Sequence, residues 1–166
     1  MLTIFGGLPG SGKTTMAKAL ATKLRAVYLR IDTIEQRMRD MGFSVAHDEG
    51  YQVAFSLALD NLNNGLSVIA DSTNPVHQSR AAWRNVAKMA QADFIEIEII
   101  CSDKAEHRRR IEQRTSDIPN LVLPRWQDVV ARAYDPWLNG QHVIDTAGRT
   151  IEQSHRELYE RLNICS

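Results

Sequence analysis

Three groups of residues in this chain have the types and spacing to handle a phosphoryl group. The first is Gly7-Leu8-Pro9-Gly10-Ser11-Gly12-Lys13-Thr14, which fills every fixed position of the pattern G-x-x-x-x-G-K-[ST]. Glycine lets a backbone curl until several N–H groups converge on one anion. A helix starting at the end of the loop adds the positive end of its dipole. Lys13 then reaches the β- and γ-phosphates of a bound nucleotide, and the Thr14 hydroxyl ligates magnesium. Residues Gly7 to Thr15 are therefore the expected nucleotide-binding segment, with ATP and Mg2+ as its ligands.

The second group is acidic. Asp71 ends the apolar run "LSVIAD", where a neighbouring strand of a phosphate-loop protein places a carboxylate that holds magnesium through its waters. A turn or helix cap is the alternative. Asp32 follows the run "AVYLRI". In a parallel sheet the strand C-termini share one edge, so Asp32 and Asp71 both face the site opened by Gly12 and Lys13. A carboxylate there accepts the proton of an alcohol attacking the γ-phosphate. "DTIE" is also a D-x-x-E helix start, in which Asp32 caps and Glu35 sits three residues on. The pattern by itself leaves base and cap open.

The third group is "AEHRRRIEQRTSDIPNLVLP". Arg110 and Arg114 are four apart and share a helix face beside the one long irregular stretch. A charge run is commonly a solvated face. Next to a phosphate loop it also suits a lid, about residues 108–124, that neutralises the transferring group and excludes water. Arg114, bordering the loop, is the preferred lid cation.

These groups need elements to hold them. "LTIF" reads as a buried first strand, and Met16, Ala17, Leu20, Ala21 and Leu24 recur at helical spacing over Lys13–Leu24. Further strands are "AVYLRI", "LSVIAD", "DFIEIEIIC" and "HVID". Helices are expected over Thr33–Met41, Glu49–Asn63, residues 77–91, Lys104–Arg114, Arg125 to about Tyr134, and a closing segment to Leu162. Strands alternating with helices imply an α/β fold with a parallel sheet covered on both faces.

The chain has 166 residues, enough for a single domain over 1–166, with 43% hydrophobic and 24% charged residues. Lys plus Arg equals Asp plus Glu at 20 each, so no global field draws it to nucleic acid or an anionic membrane. Cys101 and Cys165 make no C-x-x-C pair, which suits reduced thiols and a cytoplasmic location. The N-terminus predicts neither a leader nor a membrane span. A motor ATPase needs a further helical domain, and a GTPase an N-K-x-D motif, which is missing from the chain.

Together these parts resemble the small P-loop kinases of the polynucleotide-kinase, zeta-toxin and chloramphenicol-phosphotransferase kind, grouped as the AAA_33-like family. The likeness covers nearly the whole chain. It rests on "GLPGSGKTTMAKAL", "LRIDTIEQ", "DSTNPVHQSRAAW" and "YDPWLNGQHVIDTAG". The resemblance implies a five-stranded sheet of order 2-3-1-4-5, Asp32 as general base, Arg114 and Arg110 as basic lid positions, and the late loop beside the adenine. In one respect the chain departs from it. Polynucleotide kinases carry an arginine shortly after the base to hold a 3′-phosphate, and here Glu35 stands there. A carboxylate repels a phosphorylated acceptor.

The expected activity is thus an ATP- and Mg-dependent phosphotransferase acting on a hydroxyl of a small molecule: nucleoside, sugar, metabolite or antibiotic. A polynucleotide 5′-hydroxyl kinase and a nucleotide-binding switch without an acceptor are the alternatives; a nucleic-acid end is the less favoured partner. Phe43, His47, Tyr51 and Phe55 are expected along the acceptor pocket. Tyr51 and Phe55, four apart, serve core packing equally well. His47-Asp48 reads as a turn, Trp83 as core, and the histidines have no zinc spacing.

Overall fold

The computed structural model describes residues 1–137 and 140–164. Leu138 and Asn139 of the late loop, and Cys165 and Ser166, lie outside the described residues. In chain order the elements are β1 (Leu2–Gly6), α1 (Lys13–Leu24), β2 (Val27–Arg30), α2 (Ile31–Asp40), α3 (Glu49–Asn63) and β3 (Val68–Asp71). They continue with α4 (His77–Met89), β4 (Phe94–Ile100), α5 (Lys104–Gln113), α6 (Trp126–Val130), β5 (His142–Asp145) and α7 (Ile151–Arg161).

The strands form one five-stranded sheet of order β2-β3-β1-β4-β5, parallel at every pairing, as the resemblance implied. β1 is buried along its whole length because both faces are covered. Side chains still alternate across it. Leu2 and Ile4 pack with Leu29, Val68 and Ala70 against Ala54 and Ala58 of α3 and Trp83 and Val86 of α4. Phe5 joins Ile69, Ile97, Ile99 and Ile144 against Met16, Ala17 and Leu20 of α1 and Leu158 of α7. Trp83 is fully buried, as expected of a core residue.

Register explains why the site forms where it does. Phe5 pairs with Asp71, and Asp71 with Arg30, so the ends of β1, β3 and β2 stand in one row. The phosphate loop, Asp71 and the start of α2 leave the sheet side by side.

Two expectations are corrected. Asp32 does not cap its helix: α2 begins at Ile31, its N-cap is Arg30 in extended conformation, and no side chain bonds the cap. Strand runs into helix without a break, which places Asp32 inside the first turn. α6 stops at Val130, short of Tyr134. Pro136 holds Asp135 away from helical geometry, and the carbonyls of Asp135 and Pro136 accept hydrogen bonds from Arg80 at 2.7 and 3.0 Å.

Candidate active site

The phosphate loop follows β1 and is pinned from three sides. Gly7 has φ 137° and sits so close to β4 that a Cβ would stand 2.2 Å from the Ile99 carbonyl oxygen. Gly10 has φ 81°, with Ile111 of α5 2.6 Å from where its Cβ would be. Both positions need glycine for backbone angle and for space. The Gly7 N–H donates to the Thr73 carbonyl at 3.1 Å. His107 Nε2 lies 2.8 Å from the Pro9 carbonyl oxygen, which can only accept, so the ring carries its proton there. The Thr146 hydroxyl donates to the Ser11 carbonyl at 2.8 Å. A loop tied this firmly presents a preformed anion cradle.

A cavity of about 730 Å³ opens over the loop. Pro9, Gly10, Gly12, Lys13, Thr14 and Thr15 line it, whereas Gly7, Leu8 and Ser11 form the loop's back. Lys13 is 8% exposed. The first amides of α1 have no partner within the helix.

Arg110 and Arg114 both line this cavity, but they differ in what they are free to bind. Arg110 donates to the Thr146 hydroxyl at 2.7 Å, to the Thr146 carbonyl at 2.8 Å and to Glu106 at 2.6 Å. Its donors brace α5 against the phosphate loop. Arg114 is half-buried at the end of α5, and its Nε and Nη2 have no partner among the described residues. Burial lowers its affinity for the proton, and the Asp32 carboxylate works against that. A guanidinium far from deprotonation and short of acceptors is a ready ligand for phosphate oxygens.

Asp71 is 2% exposed and lies behind the cavity wall. Its Oδ2 accepts the Tyr28 hydroxyl at 2.6 Å and has Arg30 Nε at 4.0 Å, while its Oδ1 has no partner. Burial, and then the Asp71 charge, push the Tyr28 hydroxyl well above its ordinary range, so Tyr28 stays a donor. Asp71 does not cap the next helix, since α4 begins at His77 behind Val76 as N-cap, with no side-chain cap bond. An unpartnered buried carboxylate oxygen in register with the phosphate loop fits a metal held through water. Among the described residues no three His, Cys, Asp or Glu side chains converge, so most positions on such an ion fall to water and phosphate.

A second cavity, about 560 Å³, adjoins the first. Asp32, Glu35, Thr73 and Arg132 line both. Asp32 is exposed, and its carboxylate makes no hydrogen bond among the described residues. Tyr51 and Phe55 line the second cavity and also pack on the core, with Phe55 edge-on to Trp83 at 4.7 Å between ring centres. His47 and Asp48 line it as well, beyond their place ahead of α3. Phe43 does not: it is 60% exposed in the segment after α2. Glu35 is half-buried, packs on Gly50 and bonds Arg39 at 3.1 Å, and burial raises its carboxyl above the usual range.

Several residues of the site escaped the motif reading. Asp117, in the predicted lid segment, accepts from Lys18 of α1 and from Arg30 Nη1 at 2.8 Å. These bonds hold its carboxyl down at about 2. Arg80, 1% exposed, donates to the carbonyls of Asn74, Pro75, Asp135 and Pro136 and lies 4.3 Å over the Trp137 ring. It joins the segment after β3 to the late loop. These links span 99, 87 and 55 residues of chain.

Sheet order and phosphate loop define the class: an α/β fold of the P-loop kind. The chain belongs to the AAA_33 family, an AAA domain, whose model matches residues 2–135. It is 31% identical over 172 residues to an uncharacterised protein of Mycobacterium tuberculosis, an alignment covering 93% of this chain and 34% of that protein. This chain thus spans about a third of the length of that mycobacterial relative. A protein of Aeropyrum pernix named "Probable adenylyl-sulfate kinase" is 27% identical, over 92% of this chain and 87% of that one. The structure of Mycobacterium tuberculosis APS kinase CysC in complex with AMPPNP and APS superimposes with TM-score 0.62, at 18% identity, over 98% of this chain and 96% of that one. That likeness is one of fold. Among the described residues no helix is long and apolar enough to cross a membrane.

Proposed function

We propose that the protein is an ATP- and magnesium-dependent phosphotransferase that moves the γ-phosphoryl group to a hydroxyl of a small molecule. The observation that carries this reading is Asp32, a carboxylate without a hydrogen-bond partner on the boundary shared by two cavities. One has the phosphate loop as its floor, and the other has none of it. A switch that only senses nucleotide has no use for the second.

In this reading ATP lies on residues Gly7 to Thr15, with Lys13 on the β- and γ-phosphates. Thr14 and Asp71 hold magnesium, which supplies charge neutralisation across the phosphates. The adenine fits the 230 Å³ cavity between the phosphate loop and the turn after β5, lined by Thr146 and Arg149. The acceptor enters the second cavity with its hydroxyl toward Asp32. As the hydroxyl oxygen bonds to the γ-phosphorus, the bond to the β,γ-bridging oxygen breaks, the proton passes to the Asp32 carboxylate and ADP leaves. Arg114 takes up charge on the equatorial oxygens. The segment 115–124 acts as a lid over the donor cavity and keeps water from replacing the acceptor. The cytoplasm, where ATP is available and a buried thiol such as Cys101 stays reduced, is the proposed compartment.

The test is a labelled-ATP screen against nucleosides, sugars, hydroxylated antibiotics and oligonucleotide 5′-ends. Transfer to a small hydroxylated compound supports the reading. Tight ATP binding with no labelled product from any acceptor contradicts it and favours a switch.

A further inference from the structure

The two cavities carry opposite charge. The donor cavity is lined by Lys13 and by Arg30, Arg39, Arg110, Arg114 and Arg132, against Asp32, Glu35 and Asp117. The acceptor cavity is lined by Asp32, Glu35 and Asp48, against Arg132 alone among the described residues. Arg132 lies on the shared boundary and close enough to Arg114 for the two charges to repel, so it belongs with the transferring phosphate. Of the three carboxylates, Glu35 is paired at 3.1 Å with Arg39, which lines the donor cavity, and among the described residues Asp32 and Asp48 have no cationic partner.

The rest of the lining matches the same kind of ligand. Tyr51 and Phe55 give one apolar aromatic wall, suited to the C–H face of a ring. Ser72 is 4% exposed and lines the cavity beside Tyr51. Gln78 adds an amide. Carboxylates accept from hydroxyl and ammonium donors, and they repel phosphate, sulfate and carboxylate groups.

We infer that the acceptor is a polyhydroxylated small molecule without an anionic group, and that amine-bearing members of the class are preferred over their neutral counterparts. Glu35 is the selecting residue: it faces both cavities, and a carboxylate held half-buried there gains from a cation and loses from an anion. The inference rests on the phosphotransferase reading and narrows its acceptor. It also separates this chain from a kinase whose acceptor is adenylyl sulfate, an anion.

Two matched series test it with the full chain, ATP and magnesium. One is glucosamine, glucose and gluconate. The other is 5′-amino-5′-deoxyadenosine, adenosine and adenosine 5′-monophosphate. The expected order of kcat/KM is amine, then neutral, with the anion lower by about tenfold or more, the factor that one modest charge contact supplies. Glu35→Arg is expected to raise the anion relative to the amine by at least about tenfold, with the KM for ATP within about threefold. Should that variant fail to fold, Glu35→Gln is expected to narrow the gap between amine and anion. Preference for the anion in either series overturns the inference and leaves phosphoryl transfer standing. An unchanged order in a folded Glu35 variant removes Glu35 as selector and overturns it in that form. Silence from all six compounds also overturns it, and the phosphotransferase reading then rests on the wider screen.

Discussion

Arg110 donates to the Thr146 hydroxyl at 2.7 Å, and that hydroxyl donates onward to the Ser11 carbonyl at 2.8 Å. A lid-side helix is thereby coupled to the back of the phosphate loop through the turn that follows β5. Arg110 is a brace in this arrangement, whereas Arg114, one turn later, has Nε and Nη2 without a partner among the described residues.

The two arginines are therefore expected to fail differently. Arg110→Ala should cost about 1–2 kcal/mol of stability, because it strips partners from Thr146 and Glu106 in a part-buried network. Arg114→Ala should leave stability within about 0.5 kcal/mol, since its side chain makes no hydrogen bond among the described residues, and lower kcat by about 100-fold or more. Urea unfolding and steady-state transfer on the same preparations separate the two.

Arg80 predicts a purely structural loss. Its guanidinium is 1% exposed and holds four backbone carbonyls from two segments. Arg80→Ala leaves those acceptors unsatisfied and opens a void, at a cost on the order of 3 kcal/mol. Arg80→Lys should recover less than half of it, because an ammonium cannot span the same fan of carbonyls. Urea midpoints with unchanged slopes would show this.

Asp117 predicts a latch with a defined pH window. Its carboxyl is held at about 2 by Lys18 and Arg30 when the lid segment is down, against an ordinary value near 3.8. A depressed carboxylate contributes closure that is complete above about pH 4 and is lost as the pH falls through about 2. At neutral pH closure is then pH-independent. The pair is solvent-exposed, so its contribution is below about 1 kcal/mol. Asp117→Asn at pH 7 should speed hydrogen exchange in residues 115–124 several-fold, with the sheet unaffected.

The metal is tested through Asp71. Asp71→Asn should raise the magnesium concentration needed for half-maximal transfer by about tenfold or more. Binding of ATP in the presence of a chelator should be unchanged. Equal magnesium dependence in variant and wild type would remove Asp71 from the metal site.

The strands and the phosphate loop were legible because each is written locally, whereas the sheet order came only from the family resemblance. An apolar run followed by a glycine loop and a periodic helix specifies β1–loop–α1 within Leu2 to Leu24. Asp32 and Asp71 were legible as neighbours because parallel strands share one edge. The cap alternative for Asp32 does not hold, since α2 begins one residue before it. The end of α6 was expected at about Tyr134 and falls at Val130. Roles such as those of Asp117, His107 and Thr146 depend on partners about 90 to 135 residues away, and no spacing rule reaches that far. Of the residues expected along the acceptor pocket, His47, Tyr51 and Phe55 line the second cavity, and Phe43 is exposed in the segment after α2.

The central claim is that Asp32 accepts the acceptor's proton, and single-turnover transfer from labelled ATP by Asp32→Asn tests it most directly. With an acceptor found in the screen, the account predicts a transfer rate reduced by about 100-fold or more and an ATP affinity within about threefold of wild type. Transfer at a near wild-type rate would contradict it.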